Sequence, residues 1–567
     1  MTSHRRHDAT ADVIPSRAGT ATGRQFYLPL LIIFAGFILR AVNITGESLW
    51  RDEVDTIRYA FAPLSEMVQN LTRNGFNGPL YLFAMRAWLS LTGINDLAVR
   101  YFSLICGALM VALIYVLSRR LFDRRTALLA MWFATIAPVL IWYSGEGKMY
   151  TFQPALLLLA IYSLRRAVDV GPRGRRASLE GDAQLSSRSS LLRTFNGWWI
   201  VFTIAVSVGY YVHLLTPLFL AVAAVLFAAW WPRARHHWRG ALIALAICTV
   251  PYIPLAIWQI PTVLAGMNTG HIAYSLDAVL YTLVYNWSVG LSNQMPAGIP
   301  ANVTWLAILC YTGAVSIAVV AGFWFAKPRS AGHRNGHAAQ AAAGAASVMG
   351  SVLGMLAWLL LPALIIFLIS LRAPVFEPRY VLWSAPALYI LAAYGLSRLM
   401  PRLPLAGGML AVLISLASLI GLAAQFEFPI RPDLRGAAQA VASQMQSDDL
   451  FVFQIPYTRY GFEYYLPQEV MNPSLESGPM PADGLRTLAG FRGRIVEAPF
   501  TNGAASVADV AAALQPLEAR SPRIWLIESE AAMWDRRALV RAWFDQNMAV
   551  VWRGTLRGIT VTLYGKP

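Results

Sequence analysis

Eleven apolar stretches of roughly membrane-spanning length run through the first 425 residues of the chain. They lie near 26–45, 97–118, 126–143, 149–164, 197–212, 214–231, 240–258, 303–325, 347–370, 380–397 and 403–425. A bilayer core about 30 Å thick takes about 20 apolar residues per helical crossing. Backbone inside lipid must also satisfy its own hydrogen bonds, which restricts such stretches to helices here. The pattern predicts an α-helical integral membrane protein with about eleven crossings; the fourth stretch is short and the fifth and sixth nearly touch. Composition agrees: 57% of 567 residues are hydrophobic, only 13% are charged and mean hydropathy is +0.49. That is too apolar for a water-soluble chain.

The formal net charge of +16 does not point to nucleic acid, because the basic residues sit in short clusters between apolar stretches. Such clusters orient membrane segments. Arg5, Arg6, Arg17 and Arg24 fall on one side. Arg119, Arg120, Arg124 and Arg125 join them, then seven arginines between 165 and 193, then Arg233, Arg235 and Arg239. Lys327, Arg329, Arg334, Arg398 and Arg402 complete the set. That side is expected to be the cytoplasm, with residues 1–25 as a retained cytoplasmic tail, since no signal-peptide pattern opens the chain. The opposite side receives the connections 46–96 and 259–302, the 144–148 turn, the tip near His213, the 371–379 turn and everything after 425. The polar stretches 167–193 and 327–346 read as cytoplasmic linkers. Cys106, Cys248 and Cys310 all lie in apolar stretches, which argues against a disulfide framework or a thiolate metal site.

After residue 425 the pattern changes. A helical stretch, 434–446, precedes short β-type runs at 450–455, 494–498, 523–529 and 549–565. Alternation of this kind predicts a small α/β domain over 426–567, outside the cytoplasm.

Ionisable residues on the external side are the informative ones. In 48-SLWRDEVDT-56, Asp52 and Glu53 suit a general base with an orienting carboxylate at a membrane boundary. Acids that favour the N-terminus of a helix explain them equally well. In 142-WYSGEGKMY-150, Glu146 and Lys148 sit between aromatic residues. Interface anchoring with a snorkelling lysine accounts for that turn, and so does a cation aimed at an anionic headgroup. In 371-LRAPVFEPRY-380, Arg372 and Arg379 run against the orientation signal and suit phosphate recognition, unless Arg379 merely pairs with Glu377. His213 lies at a hairpin tip on the same side, where a lone histidine is more often structural. No His, Cys and Asp cluster has metal-ligand spacing, and no metal is expected; Asp52 and Glu53 could hold a divalent cation only together with substrate oxygens. External carboxylates, external cations and long apolar walls together describe a site for an amphiphile with an anionic head.

At these residues the chain resembles a known family. The first 400 or so residues are similar to the polytopic glycosyltransferases of the GT-C superfamily. Within it they resemble the bacterial family 39-like group, related to protein O-mannosyltransferases and lipid A aminoarabinose transferases. The resemblance rests on 48-SLWRDE-53, 77-NGPLYLFAMRAWLSLTG-93, 97-LAVRYFSLICG-107, 119-RRLFDRR-125, 141-IWYSGEGKMY-150, 210-YYVHLL-215 and 377-EPRYVLWSAPAL-388, in order. The stretch 431-RPDLRGAAQAVASQMQSDD-449 is also similar. Two departures stand out. Asn77-Gly78 replaces the usual His-Pro, and Gly145 and Gly147 flank Glu146 where relatives carry Gln and Ala.

The resemblance implies a reaction: inverting transfer of a monosaccharide from a polyprenyl-phosphate-linked sugar to a lipid, glycan or protein of the cell envelope. The place would be the outer face of the inner membrane. It implies Asp52 as base with Glu53 beside it, and Lys148, Arg379 and Arg372 on the donor phosphate. Glu146, His213, Asn77, Tyr81, Tyr150 and Tyr380 would bind and orient substrate. The competing expectations are a lipid-linked glycan flippase, which would need polar residues through its spans, and a non-catalytic assembly protein that kept the fold.

Overall fold

The computed structural model describes residues 21–71, 78–170, 195–257, 273–290, 300–325, 335–446, 448–455, 458–466, 486–487, 493–497, 505–531 and 535–566. Helix α1 (Ala21–Ala41) is followed by three short helices, α2 (Arg51–Phe61), α3 (Leu64–Leu71) and α4 (Pro79–Thr92). Next come α5 (Asp96–Leu121), α6 (Arg124–Ile136), α7 (Pro138–Ser144) and α8 (Phe152–Asp169), then α9 (Gly197–Val212), α10 (Phe219–Ala229) and α11 (Trp231–Ile257). Helices α12 (Leu276–Val289), α13 (Ala301–Phe325), α14 (Asn335–Ser370), α15 (Ala385–Leu399) and α16 (Pro404–Glu427) complete the apolar part. A 3-10 helix, Pro378–Ser384, runs directly into α15.

Each of the eleven apolar stretches falls on helix. Among the described residues six helical segments are long and apolar enough to cross a membrane, and a bent pair would make seven. That pair is α6 and α7, which meet at 60°. Pro138 at the start of α7 removes the backbone donor that would have continued α6. Three further stretches, on α1, α9 and α10, fall on shorter apolar helices.

Among the described residues the 46–96 connection contains α2, α3 and α4, and 259–302 contains α12, which packs on α7, α13 and α16. Their apolar faces bury against the bundle. Val54, Ile57 and Ala60 of α2 pack with Tyr81, Met85 and Leu89 of α4 and with Val99 and Met149.

Beyond α16 lies a six-stranded sheet, β1 (Asp449–Phe453), β2 (Arg486–Thr487), β3 (Gly493–Glu497), β4 (Arg523–Ser529), β5 (Ala549–Leu556) and β6 (Ile559–Gly565). Its order is β2-β3-β1-β4-β6-β5, with β3, β1 and β4 parallel and the closing β5–β6 pair an antiparallel hairpin. Helices α17 (Leu434–Ala442) and α18 (Thr458–Tyr465) cover one face through Phe451, Phe453, Trp525 and Ile527. Helices α19 (Val507–Arg520) and α20 (Leu539–Asn547) cover the other through Leu450, Val452, Ile524 and Leu526. Central strands buried on both faces read as continuous apolar runs, which is how β1 and β4 are written.

This sheet domain is fastened to the 46–96 connection. The Leu49 amide donates to the Tyr465 hydroxyl at 2.6 Å, and that hydroxyl donates to Asp96 at 2.7 Å. The Arg435 amide donates to Ser48 Oγ at 3.1 Å, and its guanidinium pairs with Asp96. Arg58 of α2 stacks on Tyr460 of α18, 3.2 Å from the ring centroid.

Candidate active site

The first turn of α2 carries Asp52 and Glu53, and Glu53 Oε2 accepts the Trp50 amide at 3.1 Å, which closes the helix start. Acids here complement the free N–H groups of the turn. Side chains on successive helix residues diverge, so the two carboxylates enter different surroundings.

Glu53 is fully buried and every contact holds it as an anion. Arg100 of α5 meets it with two parallel bonds of 2.8 Å, Arg431 Nη1 lies 3.6 Å away and the Gly147 amide donates at 2.9 Å. Burial alone would raise its pKa, but the two arginines and the Gly147 bond outweigh it and hold the carboxyl down to about 2. Arg100 spends its remaining donors on the carbonyls of Ile44, Glu47 and Ser48. Gly147 has to be glycine for this arrangement, since a Cβ there would lie 2.4 Å from Val99 Cγ1.

Asp52 is about a quarter exposed and pairs with Arg379 at 3.0 Å across most of the sequence. Burial works to raise its pKa, yet Lys148, Arg379 and Arg51 together hold it below the usual carboxylate range. Lys148 is half-buried and, among the described residues, has no ion-pair partner. The Nε of Arg379 is buried without an acceptor. The neighbouring residues of α2 are occupied elsewhere, Arg58 pairing with Asp55 at 2.9 Å and Arg51 approaching the same carboxylate at 3.9 Å. The turn pairing that Arg379 and Glu377 offered on sequence grounds gives way to this long-range one.

Glu146 is 1% exposed, and neither carboxylate oxygen has a hydrogen-bond partner. Burial pushes its pKa up to about 7, against the pull of Arg431 and Arg379 and with the push of Asp52 and Glu53. The carboxyl is therefore half-protonated near neutrality, a group able to donate as well as accept.

Aromatic rings line the Arg379 side. The guanidinium lies 5.4 Å from the Tyr150 ring and 5.7 Å from that of Tyr380, and His213 packs edge-on to Tyr380 at 5.2 Å. His213 is fully buried. Its Nδ1 accepts the Leu215 amide at 3.1 Å, so the proton sits on Nε2, which lacks a partner. Burial, with Arg379 nearby, drives its pKa down to about 3 and keeps it neutral.

Three other expected residues stand apart. Tyr81 is buried in the apolar cluster beneath α2, its ring edge-on to Phe102. Arg372 is exposed in the turn after α14. Asn77 lies outside the described residues. Its neighbour Gly78 adopts a left-handed φ of 71°, and a Cβ there would meet the Val212 carbonyl at 2.7 Å. Proline, with φ fixed near −65°, cannot occupy that backbone, so the His-Pro of relatives has no equivalent conformation here. Among the described residues no group of three His, Cys, Asp or Glu side chains could hold a metal ion.

Sequence reasoning missed Glu47, Arg100 and Arg431 as parts of the cluster. Arg431, just past α16, donates to the Gly145 carbonyl at 3.3 and 3.4 Å, faces Glu47 at 3.8 Å and lies 4.6 Å above the Trp142 ring. The amides of Ile430 and Arg431 donate to Glu47 at 2.7 and 3.2 Å. The only signal was the likeness of the 431–449 stretch to family members, which assigns Arg431 no task. Trp50 and Arg51 also border a small crevice, with room for about one water, whose other wall includes Thr458, Ser529 and Glu530.

Residues 77–176 match the family described as dolichyl-phosphate-mannose-protein mannosyltransferase. No curated protein matches the sequence. Among solved structures, the chain is similar to ArnT from Cupriavidus metallidurans bound to undecaprenyl phosphate. That match has a TM-score of 0.50 and 14% identity, over 96% of this chain and 98% of that one. The apo form of ArnT gives 0.52 at 13% identity, with the same coverage. The Archaeoglobus fulgidus oligosaccharyltransferase tethered to an acceptor peptide gives 0.53 at 12% identity, over 96% of this chain and 74% of that one. The fold is that of a GT-C membrane protein. At these identities the solved structures show a shared fold, and the likeness to the mannosyltransferase family lies in residues 77–176.

Proposed function

We propose that the chain transfers a monosaccharide from a polyprenyl-phosphate-linked sugar to a hydroxyl group of an envelope acceptor, with inversion, on the extracytoplasmic face. The observation that carries this reading is the Asp52–Arg379 pair: a partly open carboxylate held ionised beside two cations, Arg379 and Lys148. The neighbouring structures were solved with undecaprenyl phosphate and with an acceptor peptide, which supports a lipid-phosphate leaving group and an acceptor entering the same fold.

In the reaction the acceptor oxygen attacks the anomeric carbon from the side opposite the lipid phosphate. The carbon–oxygen bond to phosphate breaks, the phosphate leaves with the electron pair, and the acceptor proton passes to Asp52. A positioned carboxylate base contributes roughly 10²–10⁴-fold. Prearranged donors meet the charge that develops on the leaving oxygen, and Arg379 Nε and Lys148 are the donors not already committed. Glu53 cannot share the proton, because Arg100 and the Gly147 amide occupy its oxygens; its task is to fix α2 so that Asp52 is aimed. Glu146 and the Nε2–H of His213 are the groups left to read sugar hydroxyls.

Protein reconstituted in vesicles with polyprenyl-phosphate monosaccharides and envelope extracts should form a glycosylated product. D52N should insert and fold normally, by circular dichroism, and lose transfer by about 10²–10⁴-fold. Transfer by D52N at the parental rate would reject the base assignment.

A further inference from the structure

The membrane face farthest from the carboxylate cluster carries a second concentration of charge. Helix α5 starts at Asp96, beside the sheet domain, and is 26 residues long, about 39 Å along its axis at 1.5 Å per residue. At that far end Arg120 reaches Asp169, the last residue of α8, with Nε and Nη2 each 2.9 Å from Oδ2. Arg165 Nε approaches the same oxygen at 3.1 Å. Two guanidinium groups thus share one carboxylate oxygen. Arg233, in the first turn of α11, adds a third charge near enough to repel Arg165, and its own bond goes to the neutral hydroxyl of Ser347.

Part of the surplus is buried. The Arg165 side chain is 7% exposed, lies 5.1 Å above the Trp230 ring, and has its Nη1 buried without an acceptor. His237, 7% exposed and also on α11, has an unpartnered Nδ1 among the described residues. The connection 171–194, outside the described residues, adds five arginines against Glu180 and Asp182 to the charge of this side. Trp231 and Trp238 flank the cluster on α11, about half exposed, as aromatic side chains stand at headgroup depth. Buried donors without acceptors, an excess of arginine and an aromatic border are what a phosphate-bearing lipid headgroup meets in a basic interhelical pocket.

We propose that the ends of α5 and α8 with the start of α11 form a binding site for the phosphate of an anionic phospholipid. Arg120, Arg165 and Arg233 donate to its oxygens, and its acyl chains lie along the exposed apolar side of α11. The site is separate from the carboxylate cluster and does not depend on the reaction assigned to it.

The test uses the full-length protein in detergent, with phosphatidylglycerol, phosphatidylcholine or inorganic phosphate added. Native mass spectrometry counts retained lipid and a thermal melt reads stabilisation. Phosphatidylglycerol should be retained and raise the melting temperature by several degrees, while phosphatidylcholine and inorganic phosphate do neither. Arg165 is buried and R165A can fail to fold, so the half-exposed or exposed pair is the informative change. R120A/R233A should fold and bind phosphatidylglycerol at least tenfold more weakly. Equal retention of both lipids, equal stabilisation by inorganic phosphate, or undiminished binding by R120A/R233A would overturn the assignment.

Discussion

Asp52 and Glu53 differ by one methylene and one position, yet their surroundings make them opposites. Glu53 is sealed by Arg100 and a backbone amide, whereas Asp52 keeps a partly open face toward Arg379 and Lys148. The sequence could place both acids beside a membrane surface but could not rank them by burial, because Arg100 sits inside an apolar stretch and Arg431 lies hundreds of residues away. Glu146 is the third member, and its raised pKa has a thermodynamic signature. Native Glu146 keeps its proton up to about 7, while an unfolded glutamate loses it near ~4.3. Between those values the native state binds more protons, so stability falls as pH rises toward 7 and then levels off. The loss amounts to up to ~3 kcal/mol. Melts of the detergent-solubilised protein from pH 4.5 to 8 should show that slope, and E146Q should lack most of it.

At the scale of elements, α2 is a short helix that behaves as a rigid carrier for Asp52. In the sequence its acids suited a helix start as well as a site, but its length and packing left no trace, because 11 residues with a mean polar character fall below any membrane-span pattern. Its orientation comes from α5 through Arg100 and from the α7–α8 turn through Gly147. That turn explains a departure from related sequences that composition left without a cause. At Gly147 a Cβ would meet Val99 at 2.4 Å, while at Gly145 the nearest atom would be 3.5 Å away, an ordinary contact. G147A should therefore displace the amide from Glu53 and destabilise the protein by ~1–3 kcal/mol, as overpacking does. G145A should leave the melting temperature nearly unchanged. A similar cost for both, measured in the same thermal series, would mean that the turn is looser than its contacts imply.

For the whole molecule, the apolar stretches gave the helical membrane architecture directly, since span length and hydrophobicity are properties of each segment alone. The α/β character of the C-terminal part was also readable, from continuous apolar strands at 450–455 and 523–529. What the sequence did not reveal was the embrace between the two parts, because a seam of single side chains leaves no periodic trace. Arg431 is the member of that seam that touches the carboxylate cluster, through Glu53, Glu47 and the Gly145 carbonyl. Under the proposed reaction R431A should lower the transfer rate by about 10²-fold with little change in the donor KM, the pattern of a misaligned rather than an unoccupied site. R431K should recover part of the rate. A variant that instead raised KM alone would place Arg431 on the donor.

The seam also sets an order in time. Ribosomes deliver the chain from its N-terminus, so α2, Lys148 and Arg379 are all made before residue 431 exists. The cluster is completed only when Arg431 folds back onto Glu47 and Glu53. A half-made chain can be threaded into the bilayer with Glu47 and Glu53 present but without Arg431, and the cluster closes once the sheet domain docks. A chain that ended between Tyr380 and Arg431 would carry every residue to which the proposed reaction gives a task and would lack the guanidinium that joins Glu47, Glu53 and the Gly145 carbonyl.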